Sequence, residues 1–384
     1  MKGLPKKLNQ KLEVRKANNA LRKLGAQDDL VDFSSNDYLG FSKSTTIFDT
    51  THNFLIENNI KYNGSTGSRL LSGNHKLYDI VEQQICEFHN SSSALIFNSG
   101  YDANIGFFSS VPQRGDIIFY DEYIHASIRD GISMSYAKGY KFRHNDLDDL
   151  EKRCQTERSR SPKEANIYIV TESVFSMDGD TPELVALTQI SKTYQAYLIV
   201  DEAHAVGVLG KQGEGLVQNL NIEDVIFARI VTFGKAMGCH GAAILGSNTL
   251  KEYLVNFSRS FIYTTGLPPH SLATIYTAYN ALQDTNNITK LHKNINHFKA
   301  EIKRSKLEDI FIESHSAIHC CVVSGNTNVK SIAEQFQNNG FDVKPILSPT
   351  VPEGKERLRF CLHSYNSQED VSKVLQLLAT FINV

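Results

Sequence analysis

No tryptophan occurs in this chain, methionine (four) and proline (nine) are scarce, and neither sign of charge is in excess. Forty Lys and Arg stand against 42 Asp and Glu, a net charge of −2. A balance that even leaves no electrostatic footprint for nucleic acid or an acidic membrane surface. No apolar run approaches the roughly 18–20 residues that span a bilayer. The basic start, MKGLPKKLNQKLEVRKANNALRKL, lacks the apolar centre of a signal peptide. None of the six cysteines (Cys86, Cys154, Cys239, Cys320, Cys321 and Cys361) forms a CxxC pair or a zinc-ligand spacing. They read as reduced thiols of a cytoplasmic protein, and no metal site is expected. GxGxxG and the GxxxxGKS/T phosphate loop are also missing, so a nucleotide is not implied.

What is present is 384 residues of ordinary globular composition, 41% hydrophobic and 21% charged, enough for a large core and a second, smaller domain. Residues 4–24 read as an amphipathic helix carrying Leu8, Leu12, Ala17, Leu21 and Leu24, with Gly25 as its stop. Strands are expected at 31–35, 94–97, 116–120, 165–171, 196–200, 225–232 and 241–245, with helical patterns at 75–88, from 103, at 146–156 and at 183–194. Alternating strands and helices predict an α/β fold with a mostly parallel central sheet. Beyond Pro268–Pro269, a long helical region to about 305 leads into strands near 317–323, 343–346 and 356–362 and helices near 328–339 and 369–383. That pattern predicts a smaller C-terminal α+β domain. The expected division is an N-terminal arm over 1–42, a large domain over 43–278 and a small one over 279–384.

Ligands of parallel α/β sheets gather at the carboxyl ends of the strands, and chemistry-bearing residues recur there. His125 follows the strand at 116–120. ESVFSMD, with Ser176, follows 165–171. DEAH, with Asp201 and His204, follows 196–200. Lys235, in TFGKAMG, follows 225–232. A lone GK pair on a turn reads as a surface lysine, yet a desolvated lysine becomes a nucleophilic amine able to form a Schiff base. Asp201 ends an apolar strand, so its carboxylate needs a bonded or cationic partner. DEAH also occurs as a helicase motif, but no phosphate loop accompanies it. The turn Ser99–Gly100–Tyr101 joins a strand to a helix start, a ready phosphate site. A pyridoxal-phosphate site needs a Schiff-base lysine, an acidic or Arg partner for the pyridine nitrogen, and a phosphate cradle. Lys235, Asp201 and the 99–101 turn supply these.

The chain resembles the α-oxoamine synthase family of fold-type-I pyridoxal-phosphate enzymes along nearly its whole length. The resemblance is carried by SSNDYLG at 34–40, GSTGSRLLSG at 64–73, FNSGYDAN at 97–104, HAS at 125–127, ESVFSMDGD at 172–180, VDEAHAVGVLG at 200–210, TFGKAMG at 232–238, FIYTTGLPP at 261–269 and PTVPEGKERLR at 349–359. It implies an aspartate aminotransferase-like fold, pyridoxal 5′-phosphate as cofactor, and catalytic roles for Lys235, His125, Asp201 and His204. Lys235 would bind the cofactor and shuttle a proton, Asp201 would keep the pyridine nitrogen protonated, and His125 would stack on the ring. Ser176 and His204 would bond around the phenolic oxygen, and Ser99, Gly100, Tyr101 and Thr232 would bind the phosphate. Thr264 or Thr265 would reach the phosphate of a neighbouring subunit, which implies a homodimer. Asn36 would lie in the substrate-facing turn, Arg359 would grip the amino acid's carboxylate, and Arg22 would stand near the acyl entrance. GKAMGCHGAA and FIYTTGLPP look closest to members that join L-alanine to a pimeloyl thioester, carried on CoA or a carrier protein. Members using glycine or serine with another acyl-CoA are the alternative.

Overall fold

The computed structural model describes residues 3–22, 24, 29–160 and 165–382. The chain divides into two compact units. One comprises residues 36–176 and 180–289; the other comprises 1–35, 177–179 and 290–384.

In chain order the strands are β1 (Val31–Asp32), β2 (Ser93–Phe97), β3 (Ile117–Asp121), β4 (Lys138–Phe142), β5 (Ile167–Glu172), β6 (Tyr197–Asp201), β7 (Ala228–Thr232), β8 (Ala242–Gly246), β9 (Ile318–Val322), β10 (Phe341–Asp342), β11 (Lys344–Ile346) and β12 (Arg357–Cys361). The larger unit is built on a seven-stranded sheet ordered β2-β8-β7-β6-β5-β3-β4. Pairing is parallel from β7 through β6, β5 and β3 to β4, while β8 runs antiparallel to both β7 and β2. The sheet is therefore mostly parallel, as the alternation predicts.

Strand residues alternate between two apolar layers, because successive side chains of a strand point to opposite faces. Ile118, Tyr168, Val170 and Ile199 face one layer, with Phe107, Phe108, Ile128 and Leu254 from helices Gly100–Ser110, Ala126–Met134 and Asn248–Phe257. Ile117, Phe119, Ile167, Ile169, Leu198 and Val200 face the other, with Leu150, Cys154, Leu184 and Leu187 from helices Leu147–Arg160 and Leu184–Thr193. Burial on both faces explains why these strands read as continuous apolar runs.

Strand direction places the site. Because β3, β5, β6 and β7 are mutually parallel, their carboxyl ends share one sheet edge. Two antiparallel steps, β7 to β8 to β2, return β2 to the same direction. The ends of β2, β3, β5, β6 and β7 thus open on one side, as ligand sites of parallel sheets do.

The other unit holds a three-stranded antiparallel sheet, β11-β12-β9, and the parallel pair of β1 with β10. Helices Asn326–Asn338 and Gln368–Phe381 belong to it. The N-terminal helix spans Lys6–Ala17, shorter than the 4–24 expected, and it buries none of its residues. Asn18 caps its end and Asn19 turns to φ 49°. Leu8 and Leu12 are exposed, and Gly25, the expected stop, lies outside the described residues. The long helical region after Pro268 is two helices, Pro269–Asp284 and Asn287–Arg304.

Candidate active site

A cavity of about 210 Å³ lies at the carboxyl edge of the large sheet. Gly100, Tyr101, His125, Asp201, His204, Thr232 and Lys235 line it, all expected from the sequence. Asn104, Ser127, Glu172 and Ala203 line it as well.

Lys235 sits in the turn between β7 and β8. The turn is closed by Phe233 N–H to the Gly241 carbonyl (2.9 Å), Cys239 N–H to the Phe233 carbonyl (2.7 Å) and Gly238 N–H to the Lys235 carbonyl (2.8 Å). Gly238 has φ 62°, and a Cβ there would stand 2.2 Å from the Ser42 nitrogen, so only glycine fits. The half-buried Lys235 reaches His204, with Nζ 2.7 Å from Nε2. The opposite ring nitrogen, Nδ1, is 2.7 Å from the Tyr38 hydroxyl, which in turn donates to Asn36 Oδ1 at 3.1 Å. Cys239 is no rival nucleophile: burial pushes its thiol up to about 12.

Asp201, the last residue of β6, is held by neutral donors. Its Oδ2 accepts from Asn104 Nδ2 at 2.9 Å and its Oδ1 from the Ala203 N–H at 2.9 Å. Asn104 also donates to Ser127 Oγ at 3.0 Å, while its own buried Oδ1 has no partner among the described residues. With its oxygen accepting from Asn104, the Ser127 hydroxyl donates to His125 Nδ1 (2.8 Å), which also accepts the Ser127 N–H (3.2 Å). His125 therefore carries its proton on Nε2. Its ring stands exposed, yet the crowding protein and then the Lys235 cation lower its pKa, which favours the neutral ring.

Glu172 ends β5 in register with Asp201. Burial, and then the charge of Asp201, push its carboxyl up to about 8. One of its oxygens accepts the His125 N–H. A carboxyl raised that far keeps its proton at neutral pH.

Ser99 caps the helix Gly100–Ser110, accepting the Asp102 N–H at 3.1 Å. Helix geometry leaves the first N–H groups, those of Gly100 and Tyr101, without an intrahelical acceptor. Thr232 Oγ1 is close by, 3.5 Å from where a Cβ on Gly100 would stand. Thr264 and Thr265 lie beside this turn of their own chain: Asn98 Nδ2 donates to Thr264 Oγ1 (3.0 Å) and to the Thr265 carbonyl (2.7 Å). Ser176 is buried beyond β5 and does not line the cavity.

Arg22 and Arg359 belong to the other unit. Arg359 is buried on β12, where Nη1 donates to Cys361 Sγ at 2.8 Å. Arg22 Nη2 donates to Thr350 Oγ1 at 3.3 Å.

Tyr38, Asn104 and Glu172 are contributors that residue-by-residue reading passed over. Each stands inside a quoted motif (NDYLG, FNSGYDAN, ESVFSMDGD), but nothing in their spacing marks them until strand register and helix packing bring them to Asp201 and His204.

The donor set suits a cofactor that offers an aldehyde, a basic ring nitrogen and a phosphate. It comprises an amine, a carboxylate held by neutral donors, a neutral imidazole and a helix start. Residues 28–378 match the aminotransferase class I and II family. The 8-amino-7-oxononanoate synthase of Emericella nidulans is 41% identical over 367 residues, covering 92% of this chain and 89% of that protein. Among solved structures, 8-amino-7-oxononanoate synthase from Francisella tularensis superposes with a TM-score of 0.78 at 29% identity, over 93% of this chain and 99% of that one. Serine palmitoyltransferase from S. paucimobilis, solved with a bound PLP–myriocin aldimine, superposes with a TM-score of 0.89 at 25% identity, over 100% and 99%.

Proposed function

The chain belongs to the aminotransferase class I and II family and within it to the α-oxoamine synthases, and from that premise we propose that it condenses L-alanine with a pimeloyl thioester to form 8-amino-7-oxononanoate, CO2 and free thiol. The observation that carries this reading is the gathering of Lys235, Asp201, His125 and the Gly100 helix start around one cavity. Identity of 41% to a relative of that name favours alanine over serine, since the serine palmitoyltransferase likeness is only 25% in sequence.

The enzyme's cofactor is pyridoxal 5′-phosphate, which when bound supplies an electron sink for negative charge at the amino acid's Cα. Lys235 Nζ would hold its aldehyde carbon and Asp201 its protonated ring nitrogen, with His125 facing the ring. Ser176 and His204 would hold the phenolic oxygen. Ser99, Gly100, Tyr101 and Thr232 would hold the phosphate, joined by Thr264 or Thr265 from the partner of a homodimer. Lys235, as the neutral amine, takes the Cα proton of alanine onto Nζ and later returns one to the product carbon. Arg359 is assigned the alanine carboxylate, for which a guanidinium fork is suited. Asn36 is assigned to the bound amino acid and Arg22 to the acyl entrance; both rest on the sequence motifs. Six free cysteines are consistent with a cytoplasmic setting, and among the described residues no helix is long and apolar enough to cross a membrane.

The test is release of free thiol from pimeloyl-CoA by the cofactor-loaded enzyme, with alanine, glycine and serine in parallel. Release with alanine is expected. Release with glycine or serine alone, or only from another acyl-CoA, sinks the substrate assignment and moves the chain to a sister activity.

A further inference from the structure

Resting on the reading of Lys235 as the reactive amine, we infer that Tyr38 is a positioning residue that fixes the tautomer of His204, so that His204 Nε2 receives the proton leaving Lys235. Tyr38 is fully buried, in the turn Asn36–Gly40, which is closed by Tyr38 N–H to the Asn36 carbonyl and Gly40 N–H to the Asp37 carbonyl, both 2.9 Å. The turn brings the side chains of residues 36 and 38 together, and it packs on the segment that follows β6: a Cβ on Gly207 would meet Leu39 Cδ1 at 3.3 Å.

The assignment follows from counting hydrogens. A phenol has one, and Tyr38 donates it to Asn36 Oδ1 at 3.1 Å, with His204 Nδ1 2.7 Å from the same phenol oxygen. An amide oxygen can only accept. The phenol hydrogen therefore goes to Asn36, the phenol oxygen is left as an acceptor toward His204, and Nδ1 must carry the imidazole proton. Nε2 then presents a lone pair to Lys235 Nζ, 2.7 Å away. An ammonium has only donors, so this tautomer can accept from it, whereas an Nε2–H tautomer would set donor against donor. In the step itself, one N–H bond of the Lys235 ammonium breaks and its electron pair stays on Nζ. The proton forms a bond to His204 Nε2. The amine becomes neutral, the ring becomes an imidazolium still bonded through Nδ1–H to Tyr38, and the charge of the pair is unchanged. Tyr38 bonds the ring at Nδ1, the nitrogen opposite the one that takes the proton, and so acts through His204.

The experiment uses the full-length, cofactor-free protein with 15N-labelled histidine at one pH near neutrality, with His204 signals identified by their loss in His204→Gln. Wild type is expected to show a protonated Nδ1. Tyr38→Phe removes the acceptor, and Asn36→Ala frees the phenol hydrogen to point at the ring. Both are expected to leave Nδ1 unprotonated, by opposite routes. Circular dichroism identifies a variant that fails to fold, and the other variant then carries the test. Reductive methylation of Lys235 by formaldehyde, measured by peptide mass against surface lysines, is expected to slow at least roughly tenfold in both. An unprotonated Nδ1 in wild type, or unchanged Nδ1 protonation and Lys235 labelling in the folded variants, overturns the inference. These readouts need no substrate. Expected spectra without alanine-dependent thiol release would therefore sink the functional reading alone, and turnover with unchanged spectra would sink the tautomer lock alone.

Discussion

Replacing Glu172 with glutamine is expected to stabilise the cofactor-free protein, by an amount that grows with pH. Glu172 is 3% exposed, sits in register with Asp201 and accepts the His125 N–H. Burial first, and Asp201 second, raise its carboxyl from the ordinary 4.5 to about 8. The sign is fixed by proton counting. Between those two values the unfolded chain has lost the proton and the folded chain keeps it, so unfolding becomes easier as pH rises. The slope is about 1.4 kcal/mol per pH unit, with a ceiling of about 5 kcal/mol above pH 8. Glutamine has nearly the same shape, keeps a carbonyl oxygen for the His125 N–H, and cannot ionise. The variant's advantage should be near zero below pH 4.5, open through the window and be complete above about pH 8. Urea or thermal midpoints of both proteins at pH 5, 6.5 and 8.5 measure it. Curves that run parallel across that range would refute the claim that Glu172 holds the pair's proton.

Lys235→Ala should abolish alanine-dependent thiol release while far-ultraviolet circular dichroism stays native, because the three backbone bonds that close its turn do not use its side chain; appreciable turnover would remove the lysine from the mechanism. His144 gives a pH dependence through the opposite kind of group. Burial alone would lower its pKa, but Asp121 and Asp180, at 2.9 and 2.7 Å, outweigh burial and raise it to about 9. Its stabilisation is full below the ordinary 6.5 and is lost as pH rises through about 9, roughly 3 kcal/mol in all. The unfolding midpoints of wild type and His144→Gln should therefore converge between pH 6.5 and 9, and a constant gap would show that the ring does not titrate in that range.

Much of the larger unit was legible because its strands are buried on both faces and announce themselves as apolar runs ending in polar residues. Ile117–Asp121, Ile167–Glu172 and Tyr197–Asp201 fall within two residues of expectation. The edge strand Lys138–Phe142 was not legible: KGYKF exposes most of its side chains and carries a glycine, so no apolar pattern survives. The helix Ala126–Met134 is hidden behind the HAS motif, and the apolar spacing that predicts an amphipathic helix over 4–24 runs on past Ala17, where the observed helix ends with Leu8 and Leu12 exposed. In the site, Lys235, Asp201, His125 and the 99–101 turn could be found from strand ends. Asn104, Glu172 and Tyr38 could not, since each acts by touching a residue far away in sequence: Asn104 meets Asp201 across 97 positions and Tyr38 meets His204 across 166.

Those three residues decide what kind of site the motifs make. Two carboxylates in register on adjacent parallel strands lie too close to ionise together at low cost. A carboxyl that keeps its proton near neutrality, as Glu172 does, beside a second carboxyl would on its own suit general acid–base work. The hydrogen bonds argue otherwise. One Glu172 oxygen is engaged by the His125 N–H, and Asp201 is clamped by Asn104 and the Ala203 N–H, so both carboxyls are fixed in place by the backbone and by neutral groups. Lys235 bonds to His204, and the proton held on Glu172 keeps a second negative charge from competing. The sheet edge therefore keeps one carboxylate charge held by neutral donors, the arrangement that favours a protonated ring nitrogen brought by a cofactor, while the amine across the cavity is tied to a separate proton path.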